Sequence, residues 1–495
     1  MEQQFFSSPA LFTFLAFLFV LVKIWSHSKT RPNLPPGPRK LPLIGNLHQL
    51  KGLPHHDLRD MAAKFGPLTH LQLGELSTIL VSSPEIAEQV MKVHDVNFAN
   101  RPDSLTTRVI GYNHNDIAFA PYGEYWRQMK KLCTVELLSA KRVQLFRSIR
   151  EEEVSNLTKA IAAQAGSQIN LSRKLFSLMY QVTSRAAIGS EGRQEEKFKR
   201  ATQIISDMSS GFSICDVFPS VKMLTWITGR KAAVDKTFKA ADSILEDIVN
   251  EHIAEREAAK CELEDDLVHV FLSIKDRGAL EFPFTRTNIK AVILQVLLGG
   301  AETSSTATEW VMSEMLRNPN VLEKAQAEVR QVVGTKGAVD EDDIKELNYL
   351  KSVIKETLRL HPPLPLLLFR TNTDKCEISG YDIPAKTQVI VNAWAIGRDP
   401  KRWTDPETFN PGRFECNSLD FRGMDFSFIP FGAGRRICPG IAFGVANVEL
   451  PLANLLYHFD WALPDGQKYQ DLDMTESFGA SVRRKSDLLL VPNIT

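Results

Sequence analysis

The chain has 495 residues, 43% of them apolar and 24% charged, and its 59 basic side chains are matched by 59 acidic ones. Apolar content this high excludes a disordered chain, and zero formal net charge excludes a general nucleic-acid binder, which needs a basic excess to neutralise phosphates. The six cysteines (Cys133, Cys215, Cys261, Cys376, Cys416 and Cys438) form no Cys-x-x-Cys pair, so reduced thiols in the cytosol are expected, not a disulfide framework or a zinc site.

From Gln3 to Val22 the chain carries no charge and is dominated by Phe and Leu. A bilayer core needs about 20 helical residues, so this stretch is long enough to span. A cleaved signal peptide wants a basic leading flank, but only Glu2 precedes the run, while Lys23, Lys29 and Arg31 follow it. Trailing basic residues stay cytoplasmic. The expectation is an uncleaved membrane anchor over 1–28, with the body on the cytosolic side. Leu34-Pro35-Pro36-Gly37-Pro38 then fixes φ and removes donors, which predicts a stiff hinge over 29–45.

Residues 46–495 show no repeat and no second linker, and read as one domain. Thr69 to Leu73 and Ser77 to Ser82 flank Gly74-Glu75 as a hairpin would, and Ser83-Pro84-Glu85 marks a helix start. Helical patterning covers 124–163, 197–210, 230–258, 286–317, 319–333 and 341–360, after which prolines break the chain repeatedly. The predicted class is mainly α with small β-sheets.

The strongest chemical signal is Phe431-Gly432-Ala433-Gly434-Arg435-Arg436-Ile437-Cys438-Pro439-Gly440. A dinucleotide fingerprint fails here, because the third glycine is missing and no strand precedes. A cysteine between glycines and beside two arginines suits a thiolate, since positive charge and approaching N–H groups stabilise it. Phe431, Gly434, Arg436, Cys438 and Gly440 fit Phe-x-x-Gly-x-Arg-x-Cys-x-Gly. In this spacing the chain resembles the cytochrome P-450 superfamily, and within it the plant microsomal monooxygenases of specialised metabolism.

That resemblance covers the whole chain, and it implies haem b (iron protoporphyrin IX), O2 as co-substrate and NADPH acting through a separate reductase. It also implies a single-pass protein of the endoplasmic reticulum membrane, in contact with lipid. Cys438 would be the metal ligand, an axial thiolate whose electron donation favours O–O cleavage. Arg436 would pair with a haem propionate and Phe431 would pack near the sulfur. Glu356 and Arg359 would join Arg413 in a buried clamp behind the haem loop, although Gly412 replaces the acidic residue usual in the family. In Gly299-Gly300-Ala301-Glu302-Thr303-Ser304 the two glycines would let the macrocycle and dioxygen approach, and loosened carbonyls would hold water. Thr303 would hydrogen-bond the dioxygen, and Glu302 would relay protons to it. Trp126 and Lys130 stand where the family has Trp-x-x-x-Arg for the propionates, the lysine giving charge without a guanidinium fork. Arg370 is a further propionate candidate. Arg127, Lys131 and Arg435 would dock the reductase.

The resemblance places Asn113, Phe119, Phe212 and Ala301 in the substrate pocket, with Leu364, Leu368, Phe369 and Phe478. Most are apolar, which suits an apolar small molecule placed by shape. Asp473 to Ala480, with Glu302, resembles members that oxidise sesqui- or diterpenoids; alkaloid or phenolic oxidation is the rival. Two other classes stay open: an oxygen-independent peroxide rearrangement, against which Glu302-Thr303 argues, and a non-enzymatic haem sensor or electron carrier.

Overall fold

The computed structural model describes Thr13, Phe17 and residues 32–189, 195–209, 212–259, 266–278, 280–415 and 418–495. The anchor expected over 1–28 therefore lies outside the described residues, Thr13 and Phe17 excepted. Among the described residues no helix is long and apolar enough to cross a membrane.

In chain order the elements that position the site begin with α1 (Pro54–Phe65), β1 (Leu68–Leu73), β2 (Leu76–Val81), α2 (Glu124–Cys133), α3 (Leu171–Ile188) and α4 (Glu195–Met208). There follow α5 (Arg230–Ala259), α6 (Leu267–Arg277), α7 (Arg286–Arg317), α8 (Pro319–Val333) and α9 (Asn348–Leu360). The remainder are β3 (Arg370–Thr371), β4 (Gln388–Val391), α10 (Ile441–His458), β5 (Glu476–Ser477) and β6 (Arg483–Arg484). The expected mainly helical architecture with small sheets is what the chain adopts.

Helix α7 organises the molecule. Its 32 residues make a rod of about 48 Å, started by Thr285, whose N–H donates to the Asn288 side chain at 2.8 Å. Buried residues run round all its faces from Asn288 to Leu316, the pattern of a helix wrapped by others. Helices α3, α9 and α10 pack along it. Beside this bundle lies a four-stranded sheet in the order β1-β2-β4-β3, antiparallel except for the parallel β2–β4 pair.

The hairpin forms as read, with Leu73 paired to Leu76 across Gly74-Glu75. Ser83 caps the next helix, its hydroxyl accepting from the Ile86 N–H. The stretch 124–163 is not one helix. After α2 comes a π-helical turn, Thr134–Leu138, and then Ser139 turns extended (ψ 150°) and caps a short new helix. A serine that can bond its own backbone competes with helix continuation, and here it wins. The proline-rich stretch is docked on the body: Pro36 O accepts from His70 N at 2.9 Å, and Asn33 is bonded to Asp382 and to Gly380 O. A Cβ at Gly37 would lie 2.0 Å from His70 O, so only glycine allows this approach.

Candidate active site

Cys438 sits on a tight loop at the N-terminus of α10. Ile437 N donates to Gly434 O and Cys438 N to Phe431 O, both at 3.0 Å. Gly432 and Gly434 both have φ of +71°. At 434 a side chain is also excluded by space, since its Cβ would lie 2.0 Å from Met91 O. Asp95 tethers the same loop by accepting from Arg435 N at 2.9 Å. Burial pushes the Cys438 thiol up, while the Gly440 N–H and the nearby Lys130 charge pull the other way. Phe431 packs edge-on to Phe421 at 5.2 Å.

A cavity of about 370 Å³ runs from this loop to α7, lined at one end by Phe431, Cys438 and Gly440 and at the other by Gly299, Glu302 and Thr303. The two adjacent glycines have different duties. A Cβ at Gly299 would meet nothing, which leaves space beside the cavity; at Gly300 it would lie 2.8 Å from the Thr183 side chain of α3. Gly300 also lines the cavity, and close packing against α3 is a second reason for glycine there. Helix α7 runs unbroken through this stretch, and Thr303 Oγ1 donates to Gly299 O at 2.6 Å. The Glu302 carboxylate is held from the other side, accepting at Oε1 from Ser206 of α4 at 2.6 Å and from Ser481 of the β5–β6 loop.

Four cations line one flank of the cavity: Arg101, Lys130, Arg370 and Arg436. Burial, with Arg436 alongside, pulls Lys130 down to about 8. Burial and Arg370 pull Arg436 to about 9, and burial pulls Arg370 to about 10. Arg101 is driven well below the ordinary arginine range by burial and then by the other two guanidiniums. Arg370 spends one nitrogen on Ala433 O at 2.9 Å, but its buried Nη1 has no hydrogen-bond partner, and Asp95 Oδ1 stands 3.6 Å away. Trp126 serves this group as a platform: Arg436 lies 4.2 Å and Lys130 5.2 Å from its ring centre. The indole N–H itself is taken by Ile117 O at 2.9 Å. Lys130 donates to Arg435 O at 2.6 Å, and Arg436 Nε donates to Ala99 O at 2.7 Å.

Behind the cysteine loop, Glu356 and Arg359 are fully buried and form a two-point pair, Nε to Oε2 at 2.7 Å and Nη2 to Oε1 at 2.8 Å. Arg413 Nε adds 3.0 Å to Oε1. Despite Gly412, Arg413 is supported by backbone, its other nitrogens donating to the carbonyls of Thr404, Asp405 and Thr408.

Phe119, Leu364 and Leu368 line the cavity as expected. The other expected pocket residues do not. Asn113 is exposed in a left-handed turn, and Ala301 is buried at 2% exposure away from the lining. Phe212, Phe369 and Phe478 form an aromatic cluster of their own, Phe212 lying 5.4 Å from Phe369 and 6.0 Å from Phe478. The sequence reading missed Arg101, whose guanidinium donates to Ala118 O, Leu368 O and Phe369 O. A single arginine in a loop carries no local signal; only the loop carbonyls folded over it reveal its place.

The donor set fits a haem. A buried cluster of four cations, one guanidinium nitrogen of which makes no hydrogen bond, calls for more negative charge than Asp95 supplies, which propionates would bring, and the Cys438 thiol across the cavity from α7 would ligate the iron. Fold and site together define a haem-thiolate oxygenase. The family model for cytochrome P450 matches residues 35–491, and the chain belongs to that family. It is 50% identical over 493 residues to premnaspirodiene oxygenase of Hyoscyamus muticus, covering 99% of this chain and 98% of the relative. It is 49% identical over 492 residues to tabersonine 6,7-epoxidase isoform 1 of Catharanthus roseus, covering 98% and 97%. A zebrafish cytochrome P450 structure with abiraterone superposes with a TM-score of 0.76 at 25% identity, over 89% of this chain and 100% of the other. The protein is a P450 monooxygenase: it uses haem held by a cysteine thiolate, with O2, and NADPH through a reductase.

Proposed function

We propose that this monooxygenase is anchored in the endoplasmic reticulum membrane, faces the cytosol and inserts one oxygen atom into an apolar specialised metabolite, a sesqui- or diterpenoid. The observation that carries the substrate reading is the lining of the cavity between Cys438 and α7, where Ile110, Ile117, Phe119, Val296, Leu364 and Leu368 offer shape and few polar directions. The Hyoscyamus relative is named for a diene, in keeping with such a substrate. The Catharanthus relative, at nearly equal identity, is named for tabersonine, and this favours alkaloid oxidation as the second reading.

In this proposal Cys438 Sγ holds the iron, and Arg101, Arg370, Arg436 and Lys130 hold the propionates. Haem supplies the dioxygen activation and the hydrogen abstraction that puts hydroxyl on carbon. The chain supplies the protons and the geometry. Thr303 Oγ1, oriented by its bond to Gly299 O, presents its lone pairs to the cavity. Glu302 takes protons at Oε1 through Ser206 or Ser481, both already bonded to that oxygen, and passes them towards Thr303. The apolar wall excludes water from the reacting face. Outside, Arg127, Lys131 and Arg435 are exposed on the cysteine side and attract an acidic reductase surface, although Arg127 is partly neutralised by its pair with Glu124.

The test is incubation of microsomes carrying the protein and reductase with a panel of terpene hydrocarbons, alkaloids and phenolics, read by mass spectrometry. A product bearing one added oxygen, formed only with NADPH, supports the reading. Oxidation confined to alkaloids or phenolics replaces it with the second.

A further inference from the structure

The short hairpin that ends over the cavity cannot hold its own position. Strands β5 and β6 pair only with each other, two residues a side, and a lone two-stranded ribbon is marginal in water. Its tip nevertheless reaches the oxygenation machinery. Ser481 Oγ donates to Glu302 Oε1, Ala480 N donates to Ser206 O at 3.1 Å, and both Ala480 and Ser481 line the cavity. The base of the hairpin has to fix the register that brings this tip to α4 and α7.

That base is a carboxylate set among histidines. Glu476 Oε2 accepts from the fully buried His55 Nε2 at 2.9 Å, and His56 Nε2 stands 3.2 Å from the same oxygen. Glu476 Oε1 faces His361 Nδ1, which follows α9, at 3.7 Å. The other nitrogen of His361 is bonded to Glu314 Oε1 of α7 at 2.6 Å, and its ring lies flat on Trp310 of α7 with 4.1 Å between centres. His361 thus has an acceptor facing each nitrogen, the surroundings of an imidazolium. Burial would lower its pKa, but Glu314 and Glu476 outweigh burial and raise it. Burial also opposes the charge on Glu476, yet His361, His55 and His56 hold that carboxyl well below the usual range. Two more contacts frame the hairpin against α7: Trp310 donates its indole N–H to Val482 O at 3.1 Å, and Arg484, paired across from Glu476, donates to Ser313 Oγ at 3.1 Å.

We propose that Glu476 is a positioning residue for the oxygenation: its histidine partners on α1 and after α9 set the hairpin so that Ser481 reaches Glu302. This rests on the reading of Ser481 as a carrier of protons to Glu302, and adds what holds that carrier in place. Substrate, O2, two protons and the electron pair of NADPH end as oxygenated product and water. Without delivery to the right oxygen atom, O2 takes the same electrons and protons and leaves as hydrogen peroxide. A proton donor displaced by as little as ~1 Å moves the outcome towards peroxide.

The experiment combines the haem-loaded protein with reductase and measures hydrogen peroxide released per NADPH consumed. It is run with the panel of terpene hydrocarbons, alkaloids and phenolics, and again without substrate. Wild type is compared with Glu476→Gln, His55→Leu, Ser481→Ala and the double variant of Glu476→Gln with Ser481→Ala; the carbon-monoxide spectrum verifies folding. Glu476→Gln is expected to raise the peroxide share about threefold, His55→Leu to move it the same way, and Ser481→Ala to raise it by about as much. Because Glu476 acts through Ser481, the double variant should release no more than Ser481→Ala alone. Should Glu476→Gln fail to fold, His55→Leu carries the same comparison, alone and with Ser481→Ala. A merely structural Glu476 would reduce the amount of folded protein and leave the share per NADPH unchanged. A wild-type share in Glu476→Gln and His55→Leu, or effects that multiply in the double variant, overturns the inference and leaves the proposed function standing. A wild-type share in Ser481→Ala removes the proton route itself, and this inference with it.

Discussion

Replacing Glu356 by glutamine is the most informative perturbation of the scaffold. Its carboxylate is fully buried and accepts from Arg359 at both oxygens, from Arg413 and from Asn410 N at 2.8 Å. Glutamine keeps the shape but removes the only carboxylate, among the described residues, in direct contact with the two guanidiniums, and turns one acceptor into a donor facing a donor. Removing one partner of a buried ion pair costs on the order of 3–5 kcal/mol, a large part of the ~5–15 kcal/mol that holds a protein folded. Arg413→Lys is the internal control. The Arg413 side chain is 12% exposed and three of its four hydrogen bonds go to backbone carbonyls, so the loss should be about 1–2 kcal/mol. The assay is unfolding in guanidinium chloride followed by haem absorbance and tryptophan fluorescence. Glu356→Gln should shift the midpoint well below that of Arg413→Lys and release haem first, because the clamp lies behind the Cys438 loop. A Glu356→Gln midpoint within error of wild type, or above that of Arg413→Lys, would refute the reasoning.

Two further outcomes follow from the packing and the buried charges. Gly300→Ala should destabilise the protein by about 1–3 kcal/mol through overpacking against Thr183, whereas Gly299→Ala should spare stability and weaken the binding of bulky ligands; thermal melts and ligand titrations separate the two. Burial raises the Glu309 carboxyl to about 7, against the pull of its Ser172 and Arg484 neighbours. A carboxyl raised on folding binds more protons in the folded state between about 4.5 and 7, so it lowers stability as pH rises through that window and leaves it lowered above. Glu309→Gln should therefore match wild type near pH 5 and be more stable, on the order of 2–3 kcal/mol, at pH 8; melts at both pH values check this, and an equal difference at both rejects it.

What the sequence disclosed depended on whether the cause was local. The Gly74-Glu75 turn, the Ser83 cap and the apolar run of α7 are set by neighbours in the chain, and each stands where its pattern put it. The cysteine loop was legible because its glycines answer to a fixed backbone shape. Ser139 was not, since a capping serine inside a helical pattern looks like an ordinary surface residue until the chain turns. Gly300 and Arg101 answer to α3 and to the carbonyls after Leu364, which lie far away in the chain. The phenylalanines at 212, 369 and 478 found one another because apolar rings carry no address, and packing chose partners over the cavity.

The account turns on Cys438 as the ligand of iron, and the carbon-monoxide spectrum of the reduced protein tests it most directly. Wild type should give the red-shifted absorption band of a thiolate-ligated haem, and Cys438→Ala should lose both that band and turnover while keeping its far-ultraviolet circular dichroism. Retention of the band by the alanine variant, with substrate still oxidised, would contradict it.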